Sequence, residues 1–337
     1  MSKTRIGING VGRIGRTLIR EYLARAVSNF EIVAINNPGD PGVYAHLLKH
    51  DSVHGTYPEA VHLEGNDLSM GHHPIIKFYN EKDPTRIPWE KHQIDIVIDC
   101  TGKFKDKEGL GLHKRGSVKK VVMCAPGKNL DATFVMGINN DTYDNSKHHI
   151  VSNASCTTNC LAPLAKVLND KWGIESGFMT TVHAYTSDQV LLDGTHGDYR
   201  RARAAALSMI PTSTGAAKAV GEVIPELKGK LDGYAVRVPT PNVSMVDLTA
   251  ILKKPASKDE INMAMKDASA TYLKGILAYC DEPLVSQDFL GTKVSSTLDA
   301  LLTNVIGNTS KVVAWYDNEV GFSNRVLDLV SFIGERL

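Results

Sequence analysis

The chain has 337 residues, 42% of them hydrophobic and 22% charged, with a formal net charge of +1. That length supports two domains with ample core, and the near-neutral charge removes any global argument for nucleic acid or an anionic membrane as partner. Five cysteines, an odd number in a chain long enough to fold without staples, argue against a disulfide framework and point to a reducing compartment with free thiols.

Residues 4–9 read as a short buried strand, 13–26 as a helix and 31–36 as a second strand. Between the first strand and the helix stands Gly10-Val11-Gly12-Arg13-Ile14-Gly15, the GxGxxG spacing. Gly10 permits the tight turn, Gly12 lets the backbone approach a pyrophosphate, and Gly15 lets helix and strand pack closely. The phosphates would then meet N–H groups at the helix N-terminus. Glycine-rich turns also occur for geometry alone, but here strand, helix and second strand fall at the spacing that dinucleotide binding requires. The second strand ends in Asn36-Asn37-Pro38, where an NAD-preferring site usually has an acidic residue for the ribose hydroxyls. Asn37 can still hydrogen-bond a ribose, yet it does not repel a 2′-phosphate as a carboxylate does.

A helix-like stretch at 43–50 precedes several short polar segments. The adjacent pair His72-His73, with diverging side chains, reads as a surface loop. No Cys/His cluster has zinc spacing, so no metal is expected. Residues 94–99 form a strongly apolar strand, followed by a helix-like stretch and a strand at 119–123. Strand–helix alternation implies a doubly wound parallel sheet. From about residue 150 the pattern changes, and strands at 178–182, 234–238 and 243–251 suggest an antiparallel-rich sheet in a second domain. Residues 318–337 read as an amphipathic helix. With no signal peptide and no apolar span of membrane length, a soluble, cytoplasmic protein is expected.

Ser152-Asn153-Ala154-Ser155-Cys156-Thr157-Thr158-Asn159-Cys160 places a cysteine among hydroxyls and amides just before an apolar run. Small polar residues leading into such a run mark a helix start. Cys156 then sits at the positive end of a helix dipole beside unpaired N–H groups, which favours the thiolate. The alternative is a small buried hydrophobe, the fate of most intracellular cysteines, and local sequence leaves both open. Cys160, one turn on along the same face, reads as a buried thiol.

Together with these pieces, His183-Ala184-Tyr185-Thr186, Arg200-Arg201-Ala202-Arg203, Pro211 to Lys218, Arg237 to Val243 and Trp315-Tyr316-Asp317-Asn318-Glu319 stand in order along the chain. In these landmarks it resembles phosphorylating glyceraldehyde-3-phosphate dehydrogenases over essentially its whole length. The resemblance implies a Rossmann-type doubly wound parallel sheet plus an α+β catalytic domain with a mostly antiparallel sheet. The NAD(P)-binding domain would take residues 1–155 and 318–337, and the catalytic domain 156–317. It implies that Cys156 attacks glyceraldehyde 3-phosphate and that His183 acts as base, with a thioester that inorganic phosphate resolves. Thr186, Asp188 and Arg237 would line the substrate-phosphate site, and Ser155, Thr157, Thr214, Gly215 and Arg201 the attacking-phosphate site. Asn9, Gly10, Gly12, Arg13, Ile14, Asn37, Thr101, Gly102 and Cys124 would contact NAD, with Asn318 on the nicotinamide carboxamide. A homotetramer is implied as well.

Four departures stand out. Asn37 replaces the usual acidic residue, and Asp193-Gly194-Thr195-His196 replaces a Leu-Pro segment in a loop that reaches a neighbouring subunit's adenosine site in this family. Both lead to the expectation that NADP is tolerated beside NAD. Cys124 stands where serine is common, and Val320 and Phe322 replace a tryptophan and a tyrosine. The nearest enzyme alternative, erythrose-4-phosphate dehydrogenase, lacks the His-Ala-Tyr-Thr and Thr-Gly pattern carried here by Thr186 and Thr214-Gly215.

Overall fold

The runs IVID and KVVM are buried at every position, as Ile96–Asp99 and Lys120–Met123. Strands buried on both faces belong at the centre of a parallel sheet, and the computed structural model, which describes residues 3–25 and 29–337, puts them there. The chain forms two compact units. The first comprises Met1–Phe134, Thr142–Ala154 and Ser323–Leu337; the second comprises Val135–Asp141 and Ser155–Phe322.

In the first unit Thr4–Asn9 lies between Phe30–Asn36 and Ile96–Asp99, parallel to both. Ile76–Tyr79 extends the sheet on one side, and Lys120–Met123, Ile150–Ser152 and Ala132–Thr133 on the other, all parallel. A hairpin of Val61–Glu64 and Asp67–Met70 adds an antiparallel edge. Strand order reverses at Thr4–Asn9, the switch point at which open α/β sheets bind ligands. The helix after it is Arg13–Leu23; Ala26, where it was expected to end, lies outside the described residues.

Two expectations need correction in this unit. The C-terminal helix, Val320–Gly334, has no solvent-facing stripe of the kind an amphipathic helix shows, because eleven of its fifteen residues are buried and the other four half-buried. Arg25 donates to Asn324 Oδ1 at 3.0 Å and pairs with Asp328 at 2.8 Å, so polar positions face protein as well as apolar ones. The rings of His72 and His73 do not diverge. They stack with centroids 4.5 Å apart, and both turn toward Glu59, His72 Nδ1 lying 2.9 Å from its carboxylate. A left-handed Gly71, at φ 59°, curls the backbone and overrides the divergence expected of adjacent residues. The three side chains bring donor atoms within 4.8 Å of one another, on an exposed to half-buried surface.

The second unit is built on an eight-stranded, mostly antiparallel sheet. Ile174–Ala184 lies between Ser244–Leu252, antiparallel, and Leu231–Val238, parallel. Inward-facing Met179, Thr181 and His183 alternate with outward Phe178, Thr180 and Val182, the period-2 pattern of a half-buried strand. The 17-residue helix Cys156–Trp172 is buried along most of its length, from Thr157 to Leu168. Among the described residues no helix is long and apolar enough to cross a membrane.

Candidate active site

Cys156 is the first residue of its helix. Ser155 is the N-cap in extended backbone, and its Oγ accepts from the Thr158 N–H at 3.0 Å. Ala154, just before it, is a non-glycine residue at φ 57°, a conformation that costs free energy and must be enforced by its surroundings. The Cys156 sulfur lies 3.5 Å from His183 Nε2. His183 Nδ1 lies 2.7 Å from the Ala184 carbonyl. That carbonyl can only accept, so Nδ1 carries the hydrogen and Nε2 presents its lone pair to the sulfur.

Arg237 is beside His183 because the parallel register pairs the two positions. Its Nη1 lies 3.1 Å from both His183 Nδ1 and Ala184 O, and donates to Thr186 Oγ1 at 3.3 Å. Burial and this guanidinium push the imidazole down to about 3. Burial also pushes the Cys156 thiol up, against the pull of Arg237, the Thr157 hydroxyl and the N–H groups of Thr157 and Cys156. The N–H groups at the helix terminus favour the thiolate, as expected, but desolvation outweighs them. Each charge is disfavoured singly. Moving the proton from sulfur to Nε2 leaves the net charge unchanged, so the two groups titrate as a pair.

Behind this pair stands Tyr316, which is 2% exposed. Its hydroxyl bonds to Thr157 Oγ1 at 2.8 Å and Thr181 Oγ1 at 2.9 Å, and its ring meets His183 edge-on with centroids 6.0 Å apart. Ser244 Oγ accepts from the Ala184 N–H at 3.1 Å, so its own hydrogen goes to Asn318 Oδ1 at 2.8 Å. That bond orients Asn318 with its amide NH2 turned away from Ser244.

Two hydroxyl- and guanidinium-lined regions adjoin. Ser155 Oγ meets Thr158 Oγ1 at 2.8 Å, and Thr158 Oγ1 donates to Ala216 O at 3.4 Å. This draws the N-terminus of the Ala216–Val223 helix, with Thr214 and Gly215, toward that of the Cys156 helix. Paired helix N-termini favour an anion. Arg201 donates to Thr212 Oγ1 at 2.9 Å, Asp188 at 2.5 Å and Ser213 O at 3.1 Å.

In the first unit Gly10 has φ 99°, and a Cβ there would come within 2.7 Å of Thr101 N; a Cβ on Gly15 would lie 2.0 Å from Gly10 O. At Gly12 a Cβ would meet nothing within 4 Å, which leaves room for a ligand at the helix start. Val11 N–H donates to Asn37 Oδ1 at 2.7 Å, bracing the turn against the second strand. Arg13 pairs with Asp51 at 2.6 Å. Burial alone would raise the Asp51 carboxyl, but the His54 and Val53 N–H groups and Arg13 hold it down to about 2. Thr101 donates through both N–H and Oγ1 to Asp99, which joins Asn9, His113 and Trp89 in a buried polar cluster. The glycine geometry and the open helix terminus fit a dinucleotide.

Comparison with known proteins gives two family matches. Residues 4–107 match the NAD binding domain of glyceraldehyde 3-phosphate dehydrogenase, and residues 155–318 match its C-terminal domain. The chain is 54% identical to glyceraldehyde-3-phosphate dehydrogenase 2 of Trichormus variabilis, over 98% of this chain and 99% of that one. It is also 54% identical to glyceraldehyde-3-phosphate dehydrogenase of Geobacillus stearothermophilus and 53% identical to glyceraldehyde-3-phosphate dehydrogenase 1 of Bacillus subtilis, over 98% of each pair. The chain belongs to the glyceraldehyde-3-phosphate dehydrogenase family. The matching NAD-binding domain makes it an NAD-binding oxidoreductase, with the parallel and mostly antiparallel sheets expected from its sequence.

Within this family member, Cys156, His183, Arg237 and Thr186 come together in the second unit. Two of the expected site residues have partners of their own. Thr157 bonds through its hydroxyl to Tyr316 at 2.8 Å, and the same oxygen lies 4.0 Å from the Cys156 sulfur. Asp188, expected at one phosphate site, pairs with Arg201, expected at the other. Tyr316 and Ser244 were not singled out from sequence; the only signal was Tyr316's place in the Trp315 to Glu319 landmark. Cys160 is fully buried, its thiol pushed up to about 12 by burial.

Proposed function

We propose that this chain catalyses the NAD-dependent phosphorylating oxidation of D-glyceraldehyde 3-phosphate to 1,3-bisphosphoglycerate through a thioester on Cys156. The observation that carries the reading is the Cys156–His183 pair, 3.5 Å apart at a helix N-terminus. Cys156 Sγ bonds to the aldehyde carbon while its proton passes to Nε2 and then to the aldehyde oxygen, giving a thiohemiacetal. NAD, when bound, supplies the hydride acceptor. Nε2 takes the hydroxyl proton as the carbon becomes a thioester carbonyl, and the backbone N–H groups of Cys156 and Thr157 face the oxygen whose charge develops. A phosphate oxygen then attacks the carbonyl, and sulfur leaves with the bonding pair beside the protonated imidazole.

Arg237 and Thr186 hold the substrate phosphate. Ser155, Thr157, Thr214, Gly215 and Arg201 hold inorganic phosphate, with Asp188 positioning Arg201. Guanidinium forks and hydroxyls suit phosphate. Asn318 offers its amide NH2 to the nicotinamide carboxamide. Gly10, Gly12, Arg13, Ile14, Asn37, Thr101, Gly102 and Cys124 line the rest of the cofactor, over Asn9 in the buried cluster. NADP is accepted beside NAD, because Asn37 adds no negative charge near the ribose.

A homotetramer fits the exposed apolar surface of the second unit. Phe178 and Tyr234 on the outward sheet face are 74% and 51% exposed, and Leu191, Tyr199 and Leu207 in the neighbouring segment are 79–90% exposed. Exposed apolar side chains in such number suit a protein contact. NADH formation from glyceraldehyde 3-phosphate, with and without phosphate, tests the reaction. Steady turnover that requires phosphate is the expected result. Equal turnover without phosphate would mean that water resolves the thioester, and faster turnover of erythrose 4-phosphate would replace the substrate.

A further inference from the structure

Catalysis as derived above uses one cysteine, yet the first unit holds two more whose sulfurs touch. Ile96–Asp99 and Lys120–Met123 run parallel with Asp99 opposite Met123. The ladder continues one step, the Cys124 N–H donating to Asp99 O at 2.9 Å, so Cys100 and Cys124 are neighbours on adjacent strand ends. Adjacent strands lie about 4.7–4.9 Å apart, inside the range of Cα separations that a disulfide spans. The two Sγ atoms are 3.2 Å apart, and both residues are partly exposed.

We propose that Cys100 and Cys124 are a redox modification site: a hydroperoxide oxidises them to a disulfide, and the closed pair weakens NAD binding. The bond would lie in the wall of the dinucleotide site, a placement that rests on the cofactor reading given above. Thr101 and Gly102 follow Cys100 directly, and Cys124 is itself one of the cofactor residues. The glycine turn has no slack on this side, since a Cβ at Gly10 would come within 2.8 Å of the Cys100 carbonyl carbon and 2.7 Å of Thr101 N. A closed pair ties together the two strand ends, one of which is the backbone against which the turn is seated.

The chemistry balances without any group from the active site. Cys100 sulfur attacks one peroxide oxygen, the O–O bond breaks, and Cys100 becomes a sulfenic acid while the other oxygen leaves as an alcohol or water. Cys124 sulfur then attacks the sulfenic sulfur, the S–O bond breaks, and water leaves with the Cys124 proton. Two thiols lose two electrons to the peroxide. Burial and the neighbouring Cys100 sulfur push the Cys124 thiol well up, so Cys124 is not the thiol that meets the peroxide first. A bound cofactor covers the pair, so NAD protects it.

The test uses the full chain as Cys156→Ser, which removes the catalytic thiol from the redox readout. The protein is treated with hydrogen peroxide, peptide-mapped without reduction, and titrated with NAD before and after dithiothreitol. The expected result is a Cys100–Cys124 linked peptide two hydrogens lighter, a Kd for NAD raised at least about tenfold, and recovery on reduction. The Cys156→Ser/Cys100→Ser protein should bind NAD as before and ignore peroxide, and saturating NAD should slow the linkage. No linked peptide would overturn the proposal, and a linked peptide with unchanged Kd would overturn its consequence. A reduced protein that binds no NAD would overturn the cofactor reading instead, while the peptide map would still decide the bond.

Discussion

Replacing His183 with Asn probes the proton that the site moves. The imidazole faces Cys156 at 3.5 Å, and burial opposes a lone thiolate. Two unit charges at that distance in an effective dielectric near 20 attract by about 4–5 kcal/mol. Most of this is offset by desolvating the imidazolium, whose pKa burial and Arg237 depress to about 3. A net support of about 1.5–3 kcal/mol corresponds to one to two pKa units on the thiol. The sign follows directly: without the proton acceptor, the thiolate forms at higher pH. Iodoacetamide alkylation of Cys156, followed against pH, should show its inflection about one to two units higher in His183→Asn, and a rate at pH 7 lower by roughly 10- to 100-fold. An unchanged profile would mean that the helix terminus and Arg237 alone set the thiol, and the paired titration would be wrong.

Tyr316→Phe should cost about 2–3 kcal/mol in urea unfolding, because the buried Thr157 and Thr181 hydroxyls lose their shared partner; kcat/KM should change only a few-fold, since the ring still supports His183, and a 100-fold loss would place the hydroxyl in the chemistry. Gly15→Ala should abolish NAD binding or folding, as its Cβ would sit 2.0 Å from Gly10 O; isothermal titration of a folded variant with normal affinity would refute the clash. Asn37→Asp keeps the acceptor for the Val11 N–H and adds a charge, so kcat/KM with NADP should fall by about 10- to 100-fold while that with NAD holds. In the unaltered chain, NADP weaker than NAD by roughly three orders of magnitude, about 4 kcal/mol, would sink the expectation of tolerance.

The local parts of this protein were legible in its sequence. Ser155 before Cys156 announced the helix start, because an N-cap is read from one side chain and its next three residues. The GxGxxG turn was legible for the same reason. Tyr316 was not, because its role arises where Thr157 and Thr181, each more than 130 residues away in sequence, meet one hydroxyl. The C-terminal helix misled because Asn324, Arg325 and Asp328 find partners within the protein, and hydropathy alone counts such positions as solvent-facing. His72 and His73 misled because one left-handed glycine redirected both rings toward Glu59. Cys100 and Cys124 became neighbours only through strand register, which no local pattern prints.

The Arg201–Asp188 pair has a consequence for how the protein chooses among the ions around it. With its guanidinium already satisfied by Asp188, Thr212 and Ser213, Arg201 presents no naked charge to chloride, bicarbonate or other weak anions. An incoming anion must displace a carboxylate, and one that brings several oxygens and more than one negative charge does so most readily. Occupancy then becomes an exchange between two ligands of one cation, with the internal one acting as a threshold. Discrimination among anions is set by how well each competes with an aspartate, not by how strongly each is drawn to an open cation.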